Sequence, residues 1–71
     1  MKMYSIRLDI YMKAHQCYTS DELDSFGEGY SFSDACDVAR TLAAAGHRNV
    51  RICHLESGRI VAHVLEDGSI K

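Results

Sequence analysis

From Met3 to Lys13 the apolar residues Tyr4, Ile6, Leu8, Ile10 and Met12 alternate with Ser5, Arg7, Asp9 and Lys13, Tyr11 alone breaking the polar set. A period of two is that of a strand with one face buried. Farther on the period changes. Ser31 stands three residues before Asp34, a capping-box-like start, and Phe32, Ala35, Val38, Ala39, Leu42 and Ala43 then fall on one helical face, with Gly46 as the stop. This predicts a helix over about Phe32–Ala45. The run Ala43-Ala44-Ala45 favours it intrinsically and keeps it thin enough to lie close on a sheet.

Two β-branched runs, VRICHL and RIVAHVL, flank Glu56-Ser57-Gly58 and predict a hairpin. With a three-residue loop, Val50, Ile52, His54, Ile60, Ala62 and Val64 share one face, and Arg51, Cys53, Leu55, Arg59, Val61, His63 and Leu65 share the other. A two-residue loop mixes the sets, so the longer loop is preferred. An Asp67-Gly68 turn then leaves Ile70 as a short terminal stub. The expected core is Ile6, Leu8, Ile10, Val38, Leu42, Ile52, Ile60 and Val64.

The residues between, Ala14 to Ser31, are too many for an idle loop in so short a chain, and Phe26, Tyr30 and Phe32 alternate loosely toward the helix. Part of the segment is therefore expected to form a second strand. The order becomes strand, strand, helix, hairpin, which the layer rule resolves as a single α+β domain over residues 1–71, a mostly antiparallel sheet of three to four strands with one helix on one face. The other sheet face is left uncovered, and Leu55, Val61 and Leu65 on it suggest a partner or a second copy of the chain as a homodimer.

Composition agrees with a folded chain: 46% of residues are apolar, 25% are charged and none is Pro. Ser5, Arg7 and Asp9 interrupt the apolar start, so neither a signal-peptide core nor a membrane span is read there, and the expected compartment is the cytoplasm. Cys17, Cys36 and Cys53 are an odd number at irregular spacing, which fits reduced thiols. A zinc site from His15, Cys17, Cys53 and His54 is disfavoured, because adjacent strand residues point to opposite faces and no CxxC or HxxxH is present. The acids lack calcium-loop spacing, Gly27-Glu28-Gly29 lacks the following Gly-Lys-Ser/Thr of a phosphate loop, and no nucleophile sits in a glycine elbow or beside a recognisable base. The reading is a non-enzyme without metal or cofactor.

Charge changes the picture most. Asp21, Glu22, Asp24, Glu28, Asp34 and Asp37 lie between Lys13 and Arg40 with no Lys or Arg among them, whereas Arg40, Arg48, Arg51 and Arg59 accompany one acid, Glu56, in the stretch that follows. The net charge of -2 hides this separation. Asp34 and Asp37 are accounted for by the positive end of the helix dipole. The other carboxylates, Asp21, Glu22, Asp24 and Glu28, with Tyr30 as an aromatic anchor, are the candidate partner-binding residues, suited to a basic groove. A rival surface is the outer sheet face, where Arg51, Arg59 and His63 join Arg7, Tyr11 and Lys13 in a pattern that tracks a nucleic-acid backbone.

The order of features from Gly29 onward, with its Ser31-started helix, a hairpin closed by Glu56-Ser57-Gly58 and a final Glu66-Asp67-Gly68 turn, resembles small phage- and prophage-encoded proteins, among them anti-CRISPR proteins of type I systems. The resemblance covers about two thirds of the chain. It implies a non-catalytic inhibitor in the bacterial host cytoplasm that binds a CRISPR-Cas surveillance complex or nuclease, many such proteins covering basic surfaces that would receive DNA. No match is found for Cys17 to Glu28, so the contact residues rest on charge. The alternative is a small nucleic-acid-binding or regulatory protein using the basic sheet face.

Overall fold

A computed structural model describes residues 3–71. The alternating start forms β1 (Tyr4–Met12), a tight turn leads into β2 (Cys17–Leu23), and the helix α1 (Phe32–Ala44) is followed by β3 (Arg48–His54) and β4 (Ile60–His63). One sheet holds all four strands in the order β2-β1-β3-β4, with every neighbouring pair antiparallel. The helix covers one side of it. The shortest dimension, 18 Å, is the thickness of one helix on one sheet. The chain is thus a single α+β domain.

The helix starts and stops where its sequence directs. The Ser31 hydroxyl accepts from the Asp34 N–H at 3.2 Å, supplying a partner that the first turn otherwise lacks. At the other end Gly46 takes φ +95° and donates to Ala43 O, while His47 N–H reaches back to Leu42 O, a paired closure that needs a left-handed residue at Gly46. The buried helix residues are Ala35, Cys36, Ala39 and Ala43, all small. They meet Ile6, Leu8, Val50, Ile52, Ala62 and Val64 from the sheet, with Tyr4, Leu23, Tyr30, Val38 and Leu42 packed around the rim.

Four of the expected core residues, Ile6, Leu8, Ile52 and Val64, are buried, and Val38 and Leu42 are half-buried at the rim. Ile10 and Ile60 are not core: they are 36% and 48% exposed. Ile10 pairs with Thr19 near the open end of the sheet, where β1 has outrun its cover. Ile60 is displaced by a bulge. Ile52 faces Ala62, but Cys53 faces Ile60, so β4 carries an extra residue, Val61, and the inward-outward alternation reverses there. Cys53, expected on the solvated side, lies on that side and is nonetheless fully buried, paired with the equally buried Ser5.

A second bulge lies between β1 and β3. Arg7 faces Arg51 while Asp9 faces Arg48, leaving Asn49 as the extra residue, at φ +53°. Arg48 is thereby moved from the helix side to the outer face. The second strand exists, but at Cys17–Leu23, earlier than the alternation of Phe26, Tyr30 and Phe32 suggested. Tyr30 instead makes an isolated bridge to Tyr4, and Ile70 makes one to Val64.

Candidate functional site

The strand register sets Arg48 and the acidic turn at opposite ends of β2. Met12 and Cys17 close one end of the sheet, where Tyr11 faces Tyr18 with ring centroids 5.2 Å apart and the Arg48 guanidinium lies 4.5 Å from the Tyr18 centroid. The Arg48 side chain is held above its already high pKa first by a hydrogen bond to Tyr18. At the opposite end β2 leaves the sheet beside Ile6 and runs into the acidic turn, close to the start of the helix with its Asp34. Arg48, Tyr11 and Tyr18 thus lie at one end of the sheet, and the acidic turn with Asp24 and Glu28 at the other.

The acidic turn is built by Asp24. Its carboxylate accepts from Gly27 N–H at 2.9 Å and its carbonyl accepts from Gly29 N–H at 2.6 Å. This double grip forces the intervening residues into the left-handed region: Ser25 at φ +56°, Phe26 at +66° and Gly27 at +87°. Glycine adopts that conformation freely, but a bulky residue resists it by roughly 1–2 kcal/mol. Phe26 is one such residue, and its side chain is fully exposed.

Beside Phe26 lies a hollow of about 250 Å³ lined by Glu22, Leu23, Asp24, Ser25, Phe26 and Tyr30. Three candidate residues, Glu22, Asp24 and Tyr30, are therefore brought together. Tyr30 contributes a half-buried wall seated against the core, not a free anchor. Asp21 is not part of the hollow. It faces Leu8 across the β1–β2 ladder, on the side of the strand opposite to Glu22, and its carboxylate accepts from the Glu22 N–H. Glu28 follows on the same turn, its N–H bonded to Ser25 O. Phe26 was read from the sequence as part of a strand because its spacing from Tyr30 and Phe32 resembled one; the signal for a turn was the polar, glycine-bounded run around it.

The rival outer face is mostly self-neutralised. Glu22 Oε2 accepts from Arg7 Nε at 3.1 Å and from the Ser5 hydroxyl at 3.0 Å. Arg51 reaches Asp9 at 3.5 Å and the Ser20 hydroxyl at 3.0 Å, and Asn49 donates to the same aspartate. Its two most central arginines are thus committed to carboxylates of the same face. The Cys53 thiol beneath them is pushed up chiefly by burial. A surface depression of about 290 Å³ lies at the hairpin tip, lined by Met3, His54, Leu55, Glu56 and Ser57, without a nucleophile–base pair. Among the described residues no cluster of three His, Cys, Asp or Glu is arranged to hold a metal ion, and no helix is long and apolar enough to cross a membrane.

Comparison with protein-family models, with characterised proteins and with solved structures finds no match to this chain.

Proposed function

We propose that the chain is a non-catalytic binding protein whose acidic end docks on a basic, nucleic-acid-handling surface of a host defence complex, of the CRISPR-Cas surveillance type that the resemblance implies, and blocks access of nucleic acid to it. The observation that carries the reading is the hollow at the end of β2. Leu23 and Tyr30 offer apolar walls for the methylene stem of an arginine or lysine, and Asp24 stands at the rim to meet its charged head, Glu22 being already paired with Arg7. Phe26 is the complementary projection: an aromatic ring held out on a fixed turn, of a kind enriched at the cores of interfaces. Carboxylates around it speed encounter with a cationic partner. The outer sheet face supports nucleic-acid binding less well, because Arg7 and Arg51 are already paired with Glu22 and Asp9.

The test uses a purified type I surveillance complex and labelled target DNA. The wild-type protein is expected to displace the DNA, with an affinity that falls as salt rises. Phe26→Ala and the pair Asp24→Ser with Glu28→Ser should each weaken binding at least tenfold, after the thermal midpoint has been checked. Absence of binding to the complex removes the proposed partner. Binding that keeps its strength and salt dependence in both variants removes the acidic end as the surface.

A further inference from the structure

The two edges of the sheet are finished differently. The β4 edge is only four residues long and bulged, and His63 is already bonded in both directions to Lys71, N–H to O at 3.1 Å and O to N–H at 2.9 Å. The β2 edge is seven residues long in unbroken register, CYTSDEL, with no Pro, Lys or bulge. Natural proteins ordinarily guard such an edge with one of those devices or with other charges, which here are Asp21 and Glu22 alone.

Its outward-facing backbone groups can be assigned. Tyr4 donates to and accepts from Tyr30, on the β2 side of β1. Backbone groups alternate along a strand, so Ile6, Leu8, Ile10 and Met12 also direct theirs toward β2, bonding Leu23, Asp21, Thr19 and Cys17. The N–H and C=O of Tyr18, Ser20 and Glu22 therefore point away from the sheet, the Glu22 N–H being capped by the Asp21 carboxylate at 2.9 Å.

We propose that this edge pairs with the β2 edge of a second copy of the chain, antiparallel, about a two-fold axis at Ser20. In this register Ser20 exchanges hydrogen bonds with Ser20 of the second copy, and Tyr18 pairs with Glu22 in each direction, the Glu22 N–H exchanging the Asp21 carboxylate for the Tyr18 carbonyl. Charge selects it. Shifting the axis to Asp21 sets two aspartates opposite each other, and shifting it to Thr19 leaves Glu22 unpaired. With the axis at Ser20, Thr19 meets Asp21, and Arg48, already over the Tyr18 ring, is brought beside Glu22 of the second copy. The approach of Arg48 to Glu22 occurs twice about the axis. The turn carrying Phe26 lies beyond the end of β2 and is not part of the pairing; Glu22 is the one residue shared with the hollow, and the Ser20, Thr19 and Asp21 variants read the pairing without it.

Sedimentation velocity on the intact chain, from about 10 μM to about 1 mM because an edge pairing is a small interface, should show a monomer–dimer equilibrium that weakens with salt. Ser20→Pro removes an N–H that points away from β1 and should raise the dimer Kd at least tenfold. Ser20→Ala, which also loses the hydroxyl contact to Arg51, should leave it within about twofold, the hydroxyl being outside the pairing. Register is read separately in a Cys17→Ser background. Thr19→Cys mixed with Asp21→Cys should give a disulfide-linked heterodimer under glutathione disulfide, in excess over either variant alone, because these residues face each other as a close non-hydrogen-bonded pair. A chain that stays monomeric throughout, a Ser20→Pro protein that dimerises as tightly as wild type, or cross-linking dominated by the Asp21→Cys variant with itself overturns the proposal.

Discussion

Ile52 and Arg51 are neighbours on β3 and belong to different kinds of chemistry. Ile52 points to the helix and is fully buried against small residues; Arg51 points away and is held by Asp9, Ser20 and the Asn49 carbonyl. On the inner face, shape decides: Ala35, Ala39 and Ala43 let the helix approach so closely that the sheet supplies most of the bulk. On the outer face, position depends on directed bonds between charges, and burial is confined to Ser5 and Cys53 under the Arg7–Glu22 pair. The difference teaches that an uncovered sheet face need not be a free one. Its charges are spent largely on each other, which leaves the ends and edges of the sheet less occupied than its face.

The comparison is sharpened most by Ile52→Ala, expected to lower unfolding free energy by about 2–5 kcal/mol in urea titration, because the void cannot be filled by a helix already lined with Ala. Arg51→Ala should cost less, about 1–2 kcal/mol, since Asp9 keeps Asn49 and regains water. Equal costs would break the distinction between the faces. Phe26→Gly has the opposite sign: relief of the left-handed strain, set against the added freedom of Gly when unfolded, should stabilise the domain by up to about 1 kcal/mol while removing the exposed ring. A lower midpoint for this variant would mean that Phe26 serves the fold.

The smallest effect is on pH. Burial raises the Cys53 pKa, so its contribution is fully present below the ordinary thiol value of 9.0 and is lost as pH rises through the higher folded value. Stability should therefore fall more steeply above about pH 9 in wild type than in Cys53→Ala, measured by thermal melts at matched ionic strength.

The first strand, the helix with both its ends and the existence of the hairpin were legible because each is a local pattern: period two, period 3.6, and a glycine where φ turns positive. Ile60 was misplaced because a bulge is chosen by how two strands fit, and no residue in RIVAHVL marks Val61 as the extra one. Ile10 was misplaced because alternation shows which way a side chain points but not how far the helix reaches. Of the candidate site, Glu22, Asp24 and Tyr30 were found from charge and aromaticity. Asp21 falls outside the hollow because a strand, not a loop, carries it, and strand neighbours face opposite ways. Phe26 required the turn itself, closed by Asp24.

The placement of β1 between β2 and β3 also governs when the molecule can assemble. Ile6 joins Leu23 on one side and Ile52 on the other, so its second partner comes from near the far end of the chain. A growing polypeptide that has produced only the first hairpin and the helix holds a two-stranded ribbon, which is marginal in water, and a helix without Val50, Ile52, Ala62 and Val64 to lie on. Such distant pairing carries a loop-closure cost before it gains any packing. Folding is expected to wait for β3 and then to proceed as one event, with no stable half-structure for a protease to find on the way.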